Sequence, residues 1–210
     1  MIRLFTYAIL GLLASGIQAA KPLKVYILAG QSNMEGHAHH RTIDYIKEDP
    51  KTAPIHKEMI GPDGKYTVCD NAWISYLTGN RNGNGEAHGK VTAGFGSRST
   101  PTEPGEKIGP EFTFGIYMDK ATDAPVLLIK TAWGGKSLHT DFRSPSAGPY
   151  VYREDQIKQF KAKNNWEQTQ KDKVEQTGHY YRLMLAHVKK IVAELETLCP
   201  AYDKKAGYEL

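Results

Sequence analysis

Two apolar runs of strand length frame the chain. Lys24-Val25-Tyr26-Ile27-Leu28-Ala29 stops at Gly30, and Pro125-Val126-Leu127-Leu128-Ile129-Lys130-Thr131-Ala132 stops at Trp133-Gly134-Gly135. Continuous apolar runs of this length, bounded by turn residues, are the pattern of strands buried on both faces. Two helices follow from other patterns. Gly109-Pro110-Glu111 reads as a helix start, with proline in the first turn and an acid near the positive end of the dipole. Behind it, Phe112 and Ile116 fall on one side and Phe114, Tyr117, Met118 and Ala121 on another, a broad apolar surface suited to packing between a sheet and its neighbours. Met184, Val188, Ile191, Leu195 and Leu198 recur at steps of four and three, and Cys199-Pro200 ends that helix.

The intervening segments carry weaker patterns. From His37 to Gly96 the chain is loop-rich, punctuated by Pro50, Pro54, Pro62, Gly61 and Gly64. Asp63-Gly64 predicts a turn into a short strand at Lys65–Val68, with Asn71–Leu77 as its partner and Trp73 and Tyr76 as buried surface. Asn80–Gly85 reads as a tight or mobile loop, and Lys90–Phe95 as one more strand. Arg153–Glu175 is dense in both charges and predicts a solvated helical insertion.

The chemistry sits where the two apolar runs end. Gly30-Gln31-Ser32-Asn33-Met34 presents a hydroxyl at the carboxyl edge of the first strand, where open α/β sheets bind ligands. A helix opening after Ser32 would aim free N–H groups and a positive dipole end at the same point. The competing reading is a Ser/Asn helix cap, and these residues taken by themselves favour the cap. At the second strand end, Gly134-Gly135 lets backbone N–H groups approach a ligand closely, as an oxyanion hole requires. Glycine pairs also serve ordinary turns, so the two sites carry more weight together than either alone.

The combination resembles the sialate O-acetylesterase-like branch of the SGNH hydrolases, which includes carbohydrate esterase family six. The residues that carry the likeness are Gly30-Gln31-Ser32-Asn33-Met34-Glu35-Gly36, Gly109-Pro110-Glu111-Phe112-Thr113-Phe114-Gly115 and Lys130-Thr131-Ala132-Trp133-Gly134-Gly135-Lys136-Ser137-Leu138, continued by Asp141-Phe142-Arg143 with Pro145-Ser146. The resemblance implies a flavodoxin-like three-layer α/β/α sandwich with a parallel sheet. It implies Ser32 as nucleophile, with Gln31, Asn33, Gly134 and Gly135 in oxyanion and substrate-binding positions. Glu111 is read as a partner of the helix dipole or, alternatively, as a second rank of support behind Ser32. No metal or organic cofactor is implied, and the partner is an acetylated carbohydrate. Family members also carry a Trp-x-Gln-Gly-type segment and a late Asp-x-x-His that supplies the base, and neither occurs in these 210 residues. The expectation is an esterase domain over 21–210 that stops before the last motifs and is a weak catalyst alone. The alternative is a catalytically silent carbohydrate-binding module on the same scaffold.

Composition narrows the setting. Met1-Ile2-Arg3, the apolar stretch Leu4–Leu13 and the small residues up to Ala20 form a signal-peptide pattern over 1–20. The run is short for a bilayer span, so the expectation is a secreted or periplasmic protein with no stable membrane anchor. Loss of Arg3 with that segment lowers the formal charge from +4 to +3, too mild and too dispersed for nucleic acid. Cys69 and Cys199 either pair in an oxidising compartment or remain buried free thiols. His37, His39 and His40 read as solvated loop residues rather than a metal site, since their spacing lacks a ligand pattern. His139 is the best candidate base inside the chain, because it follows the glycine loop.

Overall fold

A computed structural model describes residues 20–78 and 85–210. The expected leader and most of the Asn80–Gly85 loop therefore lie outside the described residues. In chain order the main elements are β1 (Leu23–Gly30), α1 (Ser32–Glu35), β2 (Ala38–His39), α2 (Ile43–Ile46), α3 (Ala53–Met59), β3 (Ala72–Thr78), β4 (Gly85–Lys90) and β5 (Lys107–Ile108). They continue with α4 (Pro110–Ala121), β6 (Val126–Ala132), α5 (Glu154–Ala162), α6 (Trp166–Gln176), α7 (His179–Ala193), α8 (Leu195–Leu198) and β7 (Tyr208–Glu209).

Five strands form one sheet in the order β4-β3-β6-β1-β7. β6 lies at its centre, parallel to β1 on one side and to β3 on the other, and only β4 runs antiparallel. All seven residues of β6 are buried, which its continuous apolar run anticipates. Because successive strand residues face opposite sides, Leu128 packs under α4 and α3 while Leu127 and Ile129 pack under α7 and α8. The result is the expected helix–sheet–helix sandwich. On the β7 side, pairing stops at Lys24↔Glu209, and Ile27 and Ala29 of β1 face solvent.

Three local expectations are corrected. Asn71–Leu77 does form a strand, but β3 pairs with β6 and β4, not with Lys65–Val68. Of that latter segment only Tyr66 bridges, to Ile60. The further strand lies at Gly85–Lys90, and the chain beyond Val91 is loop. The late helix breaks at Glu194 into α7 and α8. Cys69 and Cys199 are free, buried thiols in the two cores on opposite faces of the sheet. Burial pushes Cys69 up to about 12 and Cys199 up to about 11, so both stay protonated and unreactive near neutrality.

One polar group interrupts the apolar strand β6. Lys130 is fully buried, and its ammonium donates to Glu35 O at 2.8 Å, Phe95 O at 2.7 Å and Glu111 Oε2 at 2.7 Å. All three of its donors are thereby used, and the Tyr76 ring lies 4.6 Å away. The other Glu111 oxygen accepts the Gly109 N–H at 2.8 Å, at the start of α4. Desolvation raises the Glu111 carboxyl and lowers the Lys130 ammonium, and their mutual attraction opposes both shifts. Removing one partner leaves an uncompensated buried charge, which costs about 3–5 kcal/mol. Lys130→Met is expected to lower unfolding stability by that amount in urea denaturation, and Lys130→Met with Glu111→Leu to recover much of the loss. Equal stabilities for the single variant and the wild type would show that the ammonium holds nothing.

A second buried group sets a pH dependence. His187 on α7 lies with Nε2 at 3.4 Å from Ser75 Oγ and Nδ1 at 3.7 Å from Glu86. Despite that carboxylate, burial dominates and holds its pKa down at about 4, so the folded protein keeps His187 neutral. The unfolded chain takes up this proton near the ordinary 6.5, which the folded chain refuses until about 4. This contribution to stability is therefore complete above pH 6.5 and is lost as pH falls towards 4. The expected result is an imidazole resonance for His187 that does not titrate through pH 6.5 in a folded sample.

Candidate active site

The first arm of the site grows out of β1. After Gly30, Gln31 stays extended (φ −116°, ψ −152°), and the chain then closes a single helical turn at Ser32–Glu35. The N–H groups of Met34 and Glu35 both donate to Gln31 O at 2.8 Å, and Gly36 N–H donates to Ser32 O at 2.9 Å. The cap is Gln31, not Ser32. Its side-chain oxygen accepts from Ser32 N–H at 3.3 Å and from Ser32 Oγ at 3.1 Å. The helix-cap reading of Ser32 is corrected accordingly: its hydroxyl is not spent on the backbone of the turn. The expected dipole shrinks as well, because one turn aligns few peptide units, and individual N–H groups remain as the source of positive potential.

The second arm grows out of β6, the direct neighbour of β1. Their parallel register pairs Gly30 with Ala132, so both loops leave the sheet at one level. Trp133 N–H donates to Gly30 O at 3.2 Å and joins the two loops there. Gly134 then passes so close that a Cβ on it would lie 3.1 Å from Glu35 Oε2, 3.9 Å from His37 Nε2 and 4.0 Å from Ser32 Cβ. Gly135 follows in an exposed turn with φ +72°. Among the described residues, no protein acceptor meets the N–H of Gly134 or Gly135.

Support for this pair of loops comes from behind and from the side. Lys130 fastens the end of α1 through Glu35 O and the start of α4 through Glu111. Gly36 (φ +84°) passes over Gly109, where an added Cβ would sit 2.4 Å from the Gly109 Cα, so glycine is required by both torsion and space. Glu35 is buried, and its Oε2 lies 3.2 Å from Nε2 of the exposed His37. In front, a cavity of about 640 Å³ is lined by Ser32, Asn33 and His37 on one side and by Ile46, Ile55 and Met59 on the other. It has a polar end at the serine and an apolar end on α2 and α3, as a small-ligand pocket requires.

The structure brings Ser32, Asn33, Gln31 and Gly134 to one place, sets Gly135 at the rim, and puts Glu111 one residue behind, linked through Lys130. His139 is not among the residues that line this cavity; its ring lies 5.1 Å from Tyr150, and among the described residues no carboxylate pairs with it. Three residues escaped the sequence reading as parts of this site: Lys130, Glu35 and His37. A lysine within an otherwise apolar buried run was the available signal for Lys130. Glu35 stood inside the serine motif without a role assigned to it, and His37 carried no signal beyond its nearness to Ser32 in the chain.

Comparison with known proteins bears on this geometry. The family model of carbohydrate esterases described as sialic acid-specific acetylesterase matches residues 22–197. No curated protein and no solved structure matches the chain. The matched span contains both loops, the Lys130–Glu111 pair and every sheet strand except β7. With its mixed α/β sandwich and a serine turn facing a glycine turn across adjacent parallel strands, the chain belongs to the sialic acid-specific acetylesterase family of carbohydrate esterases.

Proposed function

We propose that this chain is the nucleophile-bearing domain of an exported carbohydrate O-acetylesterase. Ser32 Oγ attacks the acetyl carbonyl and gives up its proton to a base. The oxyanion is held by the N–H groups of Ser32 and of the Gly134-Gly135 turn. Its collapse breaks the bond from the acyl carbon to the sugar oxygen, which leaves as the sugar hydroxyl with the proton the base took from Ser32. Water then hydrolyses the acyl-serine to acetate and free Ser32. The observation that carries this reading is the approach of Gly134 to Ser32, where an added Cβ would lie 4.0 Å from Ser32 Cβ, together with a Gly134 N–H that meets no protein acceptor among the described residues.

Gln31 fits the same picture. Its amide oxygen already accepts from both Ser32 N–H and Ser32 Oγ, the position a substrate carbonyl would occupy. An ester that binds there displaces the amide, which then remains beside the site as a donor. The family base belongs to an Asp-x-x-His pattern that these 210 residues do not contain. A serine without its base loses most of its rate, while oxyanion contacts and binding retain a remainder. The 210-residue chain is accordingly a slow esterase. The signal-peptide pattern at 1–20 supports export.

A second reading has an observation in its favour. Among the described residues Ser32 Oγ hydrogen-bonds to the Gln31 amide and to no imidazole, which would suit a scaffold kept for carbohydrate binding alone. Two measurements separate the readings. Ser32→Ala is expected to remove both the slow hydrolysis of 4-nitrophenyl acetate and the mass adduct left by a serine-directed fluorophosphonate. Gly134→Ala, which crowds Glu35 and Ser32 while keeping its N–H, is expected to slow both by about tenfold or more. No adduct on the wild-type chain, together with saccharide binding indifferent to Ser32→Ala, would establish the binding module instead.

A further inference from the structure

The loop that begins at Gly134-Gly135 does not end at the catalytic pair. It runs past Leu138 and His139 and returns through Pro149 and Tyr150 before α5. One guanidinium fixes its shape: Arg143 donates to His139 O at 3.3 Å, Ala147 O at 2.7 Å, Gly148 O at 2.8 Å and Pro149 O at 3.2 Å. The far end of the loop rests on the helical insertion. Tyr150 meets His139 at 5.1 Å and Tyr152 at 4.9 Å, and Tyr152 meets Trp166 at 4.9 Å while donating its hydroxyl to Thr169 O at 3.1 Å.

Between this loop and α6 lies a cavity of about 310 Å³, lined by Tyr150, Tyr152, Gln170, Lys173, Val174 and Thr177. Its walls are amphipathic. Two tyrosines and the exposed Val174 supply apolar surface. Among the described residues the Gln170 amide makes no hydrogen bond and Lys173 pairs with no carboxylate, its ammonium resting 4.7 Å over the Tyr150 ring. Charge density alone made the insertion read as a solvated face, but neither its aromatic cluster nor this cavity serves the sheet core.

We infer that this cavity is a saccharide subsite that holds a pyranose ring of the glycan substrate. The inference rests on the esterase reading for its substrate class. A pyranose offers apolar C–H groups to the Tyr150, Tyr152 and Val174 side of the cavity and hydroxyls to Gln170 and Lys173. One loop, braced by Arg143, carries Gly134-Gly135 at its start and the Tyr150 wall at its end, so a single segment joins the two sites. Binding energy gathered on a remote sugar ring positions the ester, and this is how a remote subsite adds to catalysis.

The test uses the whole chain carrying Ser32→Ala and three probes in parallel: xylohexaose, chitohexaose and an α2,8-linked sialic acid tetramer, each titrated calorimetrically. The expected result is that at least one binds, that Tyr150→Ala weakens it by about tenfold, and that Gln170→Ala weakens it severalfold. Among the described residues the Gln170 side-chain amide has no hydrogen bond to lose, so its variant reports on binding even if Tyr150→Ala disturbs the fold. Failure of all three probes to bind, or wild-type affinity in both variants, overturns the subsite. Concentration-dependent dimerisation abolished by Tyr150→Ala would also overturn it, by assigning the cavity to a second copy of the chain. Hydrolysis of 4-nitrophenyl acetate by the chain with Ser32 intact is read separately, so a silent serine beside a Tyr150-dependent glycan site would reject the esterase and keep the subsite.

Discussion

The buried Lys130 ammonium is the constraint on which the rest of the site depends. Taking a charge out of water into the middle of a parallel sheet is unfavourable by several kcal/mol, and only full pairing offsets it. Here the three donors reach three separate segments: the end of α1, the loop at Phe95 and, through Glu111, the entry to α4. An apolar side chain at this position would fill the space as well and specify much less. The ammonium instead requires two carbonyls and one carboxylate at fixed positions, and one of those carbonyls closes the turn that begins with Ser32.

The parallel pairing of β1 and β6 does the other half of the positioning. Adjacent parallel strands deliver their following loops to the same edge, and the register Gly30↔Ala132 brings the two exits level. Ser32 and Gly134 are about a hundred residues apart in sequence, yet each needs only two residues from its strand end to reach the other. Small residues complete the approach, since a side chain at Gly134 would meet Glu35 and one at Gly36 would meet the Gly109 backbone.

Elements defined by local pattern were legible in the sequence: β1 and β6 as continuous apolar runs, α4 from Pro110 and Glu111, and α7 from its repeat. The pairing of β3 was not. Ala72–Thr78 bonds in parallel to a strand some fifty residues on, a partnership with no local trace, whereas a hairpin with Lys65–Val68 satisfied every nearby turn signal. The division between Ser32 as nucleophile and Ser32 as cap was likewise not decidable from residues, since Gln31 takes the cap only through its extended backbone and side-chain reach. Lys130 was visible as a charge in an apolar strand, but its three partners come from loops whose paths no periodicity fixes.

Glu35 shows how the site manages its own charge. A buried carboxylate beside the Gly134 turn would repel a developing oxyanion if it stood alone. Its backbone oxygen accepts from the Lys130 ammonium, and its side-chain Oε2 lies 3.2 Å from His37 Nε2, so polar partners meet the same residue from two directions. The one facing the cavity is the exposed His37 imidazole. In the proposed reaction, the field at the oxyanion position is therefore set by a four-residue neighbourhood, Ser32, Glu35, His37 and Gly134, rather than by the serine turn alone. Substituting any one of these residues alters the potential that the other three present to the ester.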